Sequence, residues 1–116
     1  MHDLKWSDTE KKIARAVFDI ALQKELAATM ARFKELALAA TTPDDLWETE
    51  RFLHHARRGI DDKYDYRYSQ LPLLFARLVL ENLIKREELQ KLGQDKLAII
   101  DDVIELNKKY LAENDE

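Results

Sequence analysis

Between Ser7 and about Ala40 apolar residues recur at helical spacing, over a stretch that is long for a globular helix. At about 100° per residue, Ile13, Val17 and Ile20 share one face. Phe18, Leu22, Leu26, Met30, Phe33 and Ala40 lie broadly on the other side, and Ala27, Ala28 and Ala31 permit a close helix crossing. A helix in a small domain buries one stripe, so apolar residues on two faces call for two packing partners. The second partner is either another subunit or more of the same chain. Ser7-Asp8-Thr9-Glu10 fits a capping box, with the Ser7 hydroxyl accepting from the Glu10 amide and the Glu10 carboxylate accepting in return.

Thr41-Thr42-Pro43-Asp44-Asp45 marks a break and a restart: Thr42 caps, Pro43 suits the first helical position, and the two aspartates face the positive end of the dipole. The second helix carries Leu46, Trp47, Phe52 and Leu53 and is expected to end near Gly59 or to continue with a distortion. The segment KYDYRYS, residues 63–69, follows and holds three of the four tyrosines. A third helix is expected over about 70–82, capped by Ser69 with Pro72 in its first turn. It is the most apolar, with Leu71, Leu73, Leu74, Phe75, Leu78, Val79 and Leu80, and reads as the core. A short helix is expected over 86–92, then Gly93, then a last helix over about 95–110, with residues 112–116 expected to fray. The pattern predicts an all-α small helical domain with a long N-terminal helix and four or five helices.

Composition narrows this. The chain has 116 residues, room for one modest domain, and 46% hydrophobic residues, a globular value. Two glycines and two prolines argue against a turn-rich fold. Net charge is −4, which argues against a general nucleic-acid binder. The absence of cysteine removes disulfides, thiol chemistry and cysteine metal sites. The start, MHDLKWSD, lacks the pattern of a signal peptide, and the apolar run LPLLFARLVL is interrupted by Arg77 and too short to span a membrane. A cytoplasmic protein is expected.

Candidate chemistry is sparse. His54 and His55 are adjacent and diverge on a helix; Glu50 and His54 share a face but have no third ligand at suitable spacing. His2 carries no signal. The acid pairs Asp44-Asp45, Asp61-Asp62, Glu87-Glu88 and Asp101-Asp102 read as solvated or helix-start residues, and Ser7 and Ser69 as caps. No glycine-rich phosphate loop or nucleophile elbow occurs, so an enzyme, a metal site and a cofactor are not expected. The densest charged patch is 50–69, with Arg51, Arg57, Arg58, Lys63 and Arg67 against Glu50, Asp61, Asp62 and Asp65. With its tyrosines it has the make-up of a protein interface, or of an internal network that fixes a corner.

Leu46-Trp47, Phe52-Leu53, Arg57 and the run IDDKYDYRYS resemble the central signature of the cyanobacterial fluorescence recovery protein family. The likeness runs back to Trp6-Ser7 and ALQKEL at 21–26, and forward through Leu73-Leu74-Phe75-Ala76 to Glu88-Leu89, Leu92 and Asp95-Lys96. It implies a helical homodimer without enzymatic activity. Such a regulator binds photoactivated orange carotenoid protein and speeds its return to the resting state, in the cytoplasm or peripheral to the thylakoid membrane. It implies a dimerisation region over about 7–60 and a distal helical head over about 69–110. Trp47 and Arg57 match residues of the family's central surface, and Leu46 an apolar dimer contact. Glu50 stands where the family has histidine, and Arg51 replaces an aspartate, a charge reversal, so Arg57 needs another acid. Leu73 replaces an aromatic partner-contact residue, Ile99 a lysine, and Asn82-Leu83 the usual Gly-Trp. The chain also continues through ELNKKYLAENDE, past the usual ending. These departures leave open a related interaction module with a different protein partner. A weaker reading is an anion or nucleic-acid binder using Arg51, Arg57, Arg58 and Arg67.

Overall fold

The computed structural model describes residues 4–114. His2 and residues 115–116 lie outside that range. The described residues form four α-helices and one 3₁₀ helix: α1 (Asp8–Ala39), α2 (Pro43–Lys63), α3 (Leu71–Leu80), the 3₁₀ turn (Arg86–Leu89) and α4 (Gln94–Asn114). The fold is all-α with a long N-terminal helix. No helix among the described residues is long and apolar enough to cross a membrane.

The chain separates into two compact units. Among the described residues, 4–21 with 65–114 make one; Leu22–Tyr64 makes the other. In the first, Ala14, Val17, Phe18 and Ala21 join Leu71, Leu74, Phe75, Leu78, Leu89, Leu92, Leu97, Ile100 and Ile104 in the buried core. The start of α1 is fixed there by one carboxylate. Glu10 accepts from the Ser7 amide at 2.9 Å, closing the expected capping box, in which the Glu10 amide donates to Ser7 Oγ at 3.1 Å. The same carboxylate accepts from the Gly93 amide at 2.7 Å and from Lys96 Nζ at 3.1 Å. Lys96 also donates to the Lys5 carbonyl, pairs with Asp95 at 3.2 Å and lies over the Trp6 ring. A Cβ at position 93 would stand 2.8 Å from Asp95 Oδ1 and 2.9 Å from Glu10 Oε2, so glycine leaves both carboxylates room at the α4 turn.

In the second unit, half-buried or buried positions recur at helical spacing on both helices. They are Leu22, Glu25, Thr29, Phe33 and Leu36 on α1, with Ala40 just past its end, and Asp45, Thr49, Phe52, Ala56, Ile60 and Lys63 on α2. These stripes are the facing sides of a helical hairpin. Thr42 and Asp45 form the reciprocal cap of α2, with Pro43 in its first turn.

Four boundaries differ from expectation. α2 runs unbroken through Gly59 to Lys63, because the surrounding helix outweighs one glycine and its cost of about 1 kcal/mol. Ser69 does not cap α3; Gln70 occupies the cap without a side-chain bond, and Ser69 sits in the turn before it. The segment after α3 is a 3₁₀ turn over Arg86–Leu89, not a helix to Leu92. It is pinned to α4 by a forked pair, Arg86 to Asp101, at 2.7 and 3.0 Å. That hydrogen-bonded guanidinium holds the Asp101 carboxyl below its ordinary value. α3 itself ends in a Schellman turn: Leu83 N–H donates to the Leu78 carbonyl and Asn82 N–H to Val79. Asn82 takes the left-handed conformation there, φ 62°, which asparagine tolerates where glycine is usual. α4 extends through Asn114, so the backbone of 112–114 is helical.

Burial pushes the Glu10 carboxyl up, but the Ser7 and Gly93 amides and the Lys96 ammonium outweigh it and hold it at about 2 against an ordinary 4.5. A depressed folded-state value contributes stability that is present above the ordinary value and lost as pH falls through the folded one. The difference corresponds to about 3 kcal/mol. Glu10→Gln should lower stability at neutral pH and flatten its decline between pH 4.5 and about 2, measured as the urea midpoint against pH. An unchanged acid profile would show that Glu10 does not carry this linkage.

Candidate functional site

KYDYRYS is resolved into two roles. Lys63 is the last residue of α2, and its side chain is buried; Nζ donates to Glu25 Oε1 at 2.8 Å. The Tyr64 hydroxyl donates to the same oxygen at 2.8 Å. Both ties hold α2 to α1 within the hairpin. Past the helix end, Tyr66 meets Phe18 edge-on at 4.9 Å and Tyr68 at 5.6 Å, and Tyr68 meets Trp6 at 5.3 Å. Arg15 lies 4.5 Å over Tyr66 and Lys11 lies 5.6 Å over Tyr68. Arg67 bonds Asp65 at 2.8 Å. The segment is therefore a framework: its rings pack, and Lys63 and Arg67 satisfy nearby acids.

The open surface lies on α2. Leu46, Glu50, Leu53 and Arg57 follow at i, i+4, i+7 and i+11 and form one strip. Leu46 is 52% exposed and Leu53 42%. Leu53 and Arg57 line a shallow cleft of about 400 Å³ with Leu26, Thr29, Ile60 and Asp61. Leu26 also borders exposed Met30 along α1, so apolar surface continues from one helix to the other. Trp47, Arg51, His54 and Arg58 form a second, more polar strip one residue round the helix, all exposed. Arg51 bonds Glu48 at 2.6 Å, and Arg57 finds its acid in Asp61 at 3.8 Å with both side chains largely in water. Leu26, Met30 and Leu53 are not among the surface residues expected from sequence, although Leu53 stands one heptad after Leu46.

Leu73 and Ile99 belong to the other unit. Leu73 is exposed on α3, and Ile99 is half-buried on α4. The histidine rings of His54 and His55 lie edge-on at 5.9 Å. Among the described residues no group of three or more histidine, cysteine or acidic side chains could hold a metal ion.

Residues 6–104 match the family described as photoprotection regulator fluorescence recovery protein. The chain is similar to the fluorescence recovery protein of Synechocystis sp. (strain ATCC 27184 / PCC 6803 / Kazusa), 42% identical over 91 residues, covering 78% of this chain and 84% of that one. Among solved structures, the Fremyella diplosiphon fluorescence recovery protein is similar at TM-score 0.81 and 36% identity, covering 85% of this chain and 97% of that one. The Synechocystis sp. PCC 6803 structure is similar at TM-score 0.81 and 39% identity, with the same coverage.

The exposed, long Arg57–Asp61 contact contributes little to folding. Arg57→Ala should keep its helicity and change unfolding stability by less than about 0.5 kcal/mol, read by urea denaturation. A larger loss would place Arg57 in the framework instead of on the surface.

Proposed function

This chain belongs to the photoprotection regulator fluorescence recovery protein family, and from that premise we propose that it is a non-enzymatic homodimeric regulator of orange carotenoid protein. It binds the photoactivated form and accelerates return to the resting state. One observation carries the dimer: within Leu22–Tyr64 the only buried apolar side chain is Ile60, while Leu26, Met30, Leu38, Leu46, Trp47 and Leu53 remain exposed. A two-helix unit with so small a core gains its apolar burial from a second layer. A second copy packed on the Leu46–Leu53 strip and the neighbouring Leu26–Met30 edge supplies it. Residues 7–60 then form the dimerisation region and 69–110 the distal head.

Acceleration without covalent chemistry requires differential binding: contacts stronger with the barrier state for closure than with the open form. Trp47 and Arg57 are the anchors we assign on the central surface, and Leu73 and Ile99 those on the head. The protein works in the cytoplasm, peripheral to the thylakoid membrane where its partner acts.

A second reading, a related module with a different protein partner, is favoured by Glu50 and Arg51. Glu50 stands where the resemblance predicts a histidine, and Arg51, paired with Glu48, stands where it predicts an aspartate.

Leu46→Glu places a carboxylate in the apolar contact and should weaken dimerisation by about 2–3 kcal/mol, roughly 30- to 150-fold. Sedimentation across a concentration series reads it; an unchanged dimer mass would remove Leu46 from the interface. For the activity, dark recovery of photoactivated orange carotenoid protein should accelerate at substoichiometric amounts of this protein, and Arg57→Ala should reduce that effect about tenfold. No acceleration from folded, dimeric protein would favour the different-partner reading.

A further inference from the structure

The family match stops at residue 104, yet α4 continues to Asn114. Along α4, Ile99, Val103, Leu106 and Tyr110 follow at spacings of four, three and four, the seam of a coiled coil. Leu106 is 67% exposed and Tyr110 60%, while Ile99 and Val103 are half-buried. On one flank of this seam stands α3: Arg77, Leu80 and Glu81 line a groove with Val103, Asn107 and Tyr110. The other flank is open and carries Asp102 and Lys109, both exposed, one heptad apart.

We propose that this seam pairs with α4 of a second copy of the chain, antiparallel. Charge decides the direction. In an antiparallel pair the open flank faces its own copy, so Asp102 of each chain meets Lys109 of the other and the symmetry makes two ion pairs. A parallel pair would set Asp102 against Asn107 on the flank already occupied by α3, with no ion pair. Antiparallel packing sets Val103 against Leu106 and Ile99 against Tyr110, small beside large, and opposes the helix dipoles. With about two heptads of contact the association is weak and concentration-dependent. It uses a surface separate from the α1–α2 strip and does not depend on the carotenoid-protein reading. Ile99, one of the residues assigned to the head surface, lies within it.

The chain has no cysteine, which makes the test clean. Full-length Asp102→Cys and Lys109→Cys proteins are mixed with a short bismaleimide. Mixed 102–109 cross-links should form at least about fivefold faster than either homotypic product. The same preference should persist when Leu46→Glu is present, and Leu106→Glu added to both chains should remove it. In cysteine-free protein, Asp102→Lys should weaken concentration-dependent association in sedimentation, and the double exchange Asp102→Lys with Lys109→Asp should restore it. All these positions are exposed, and circular dichroism confirms retained helicity. Homotypic products formed as fast as mixed ones, cross-linking indifferent to Leu106→Glu, or failure of the double exchange to restore association would each overturn the proposal.

Discussion

The Glu10 carboxylate is the constraint on which the larger unit depends. It is a buried charge, and a buried charge is tolerated only when its acceptor capacity is filled. Two amides and one ammonium fill it, and each comes from a different place: the capping turn before α1, the glycine turn before α4, and the first turn of α4 itself. The start of α1 and the start of α4 therefore cannot shift separately. Lys96, held by this carboxylate, supports the face of Trp6, and Trp6 begins the ring series through Tyr68 and Tyr66 to Phe18. One ion pair thus orders the corner that the tyrosines occupy.

Local signals were legible in the sequence and distant ones were not. The Ser7–Glu10 and Thr42–Asp45 caps span three residues, and both form. Glu10 could be read as a cap partner but not as the partner of Lys96, because 86 residues separate them and neither pattern nor charge run points across that gap. Gly59 misled because its propensity is a local cost, while α2 is held by the periodic stripe from Asp45 to Lys63. Gly93 is the opposite case: a Cβ there would crowd both Asp95 Oδ1 and Glu10 Oε2, and the second of these neighbours comes from the far end of the sequence. Ser69 misled because a serine before an apolar run is a common cap, but here the turn places Gln70 at that position.

The surface followed the same division. Leu46, Trp47, Glu50, Arg51 and Arg57 could be placed on α2 by counting, since helical periodicity fixes which share a strip. The charged network around KYDYRYS could be composed from sequence but not directed. Lys63 turns inward to Glu25, whereas Arg67 spends its charge on Asp65 two residues away. The first is a framework contact across the hairpin, the second a local solvated pair. Residue type alone does not separate them; burial does.

The distribution of burial between the units carries the argument furthest. Nearly all buried apolar side chains lie outside Leu22–Tyr64, and that segment keeps Leu26, Leu38, Leu46 and Leu53, Met30 and Trp47 exposed. The hairpin is held by polar devices instead: a reciprocal cap at its turn and a buried lysine tied to one glutamate at its open end. Such devices set geometry well and supply little net stability, because each charge brought out of water offsets much of its own attraction. The apolar strip on this thin unit is the surface that the proposed second copy would cover as a partner layer. The ends of the hairpin are fixed by hydrogen bonds that need no second chain, so the strip is already aligned before that layer arrives. Preformed geometry with unfinished burial is the physical form expected of a regulator that acts through contact, where the entropy of alignment has been lost in folding and not at the moment of binding.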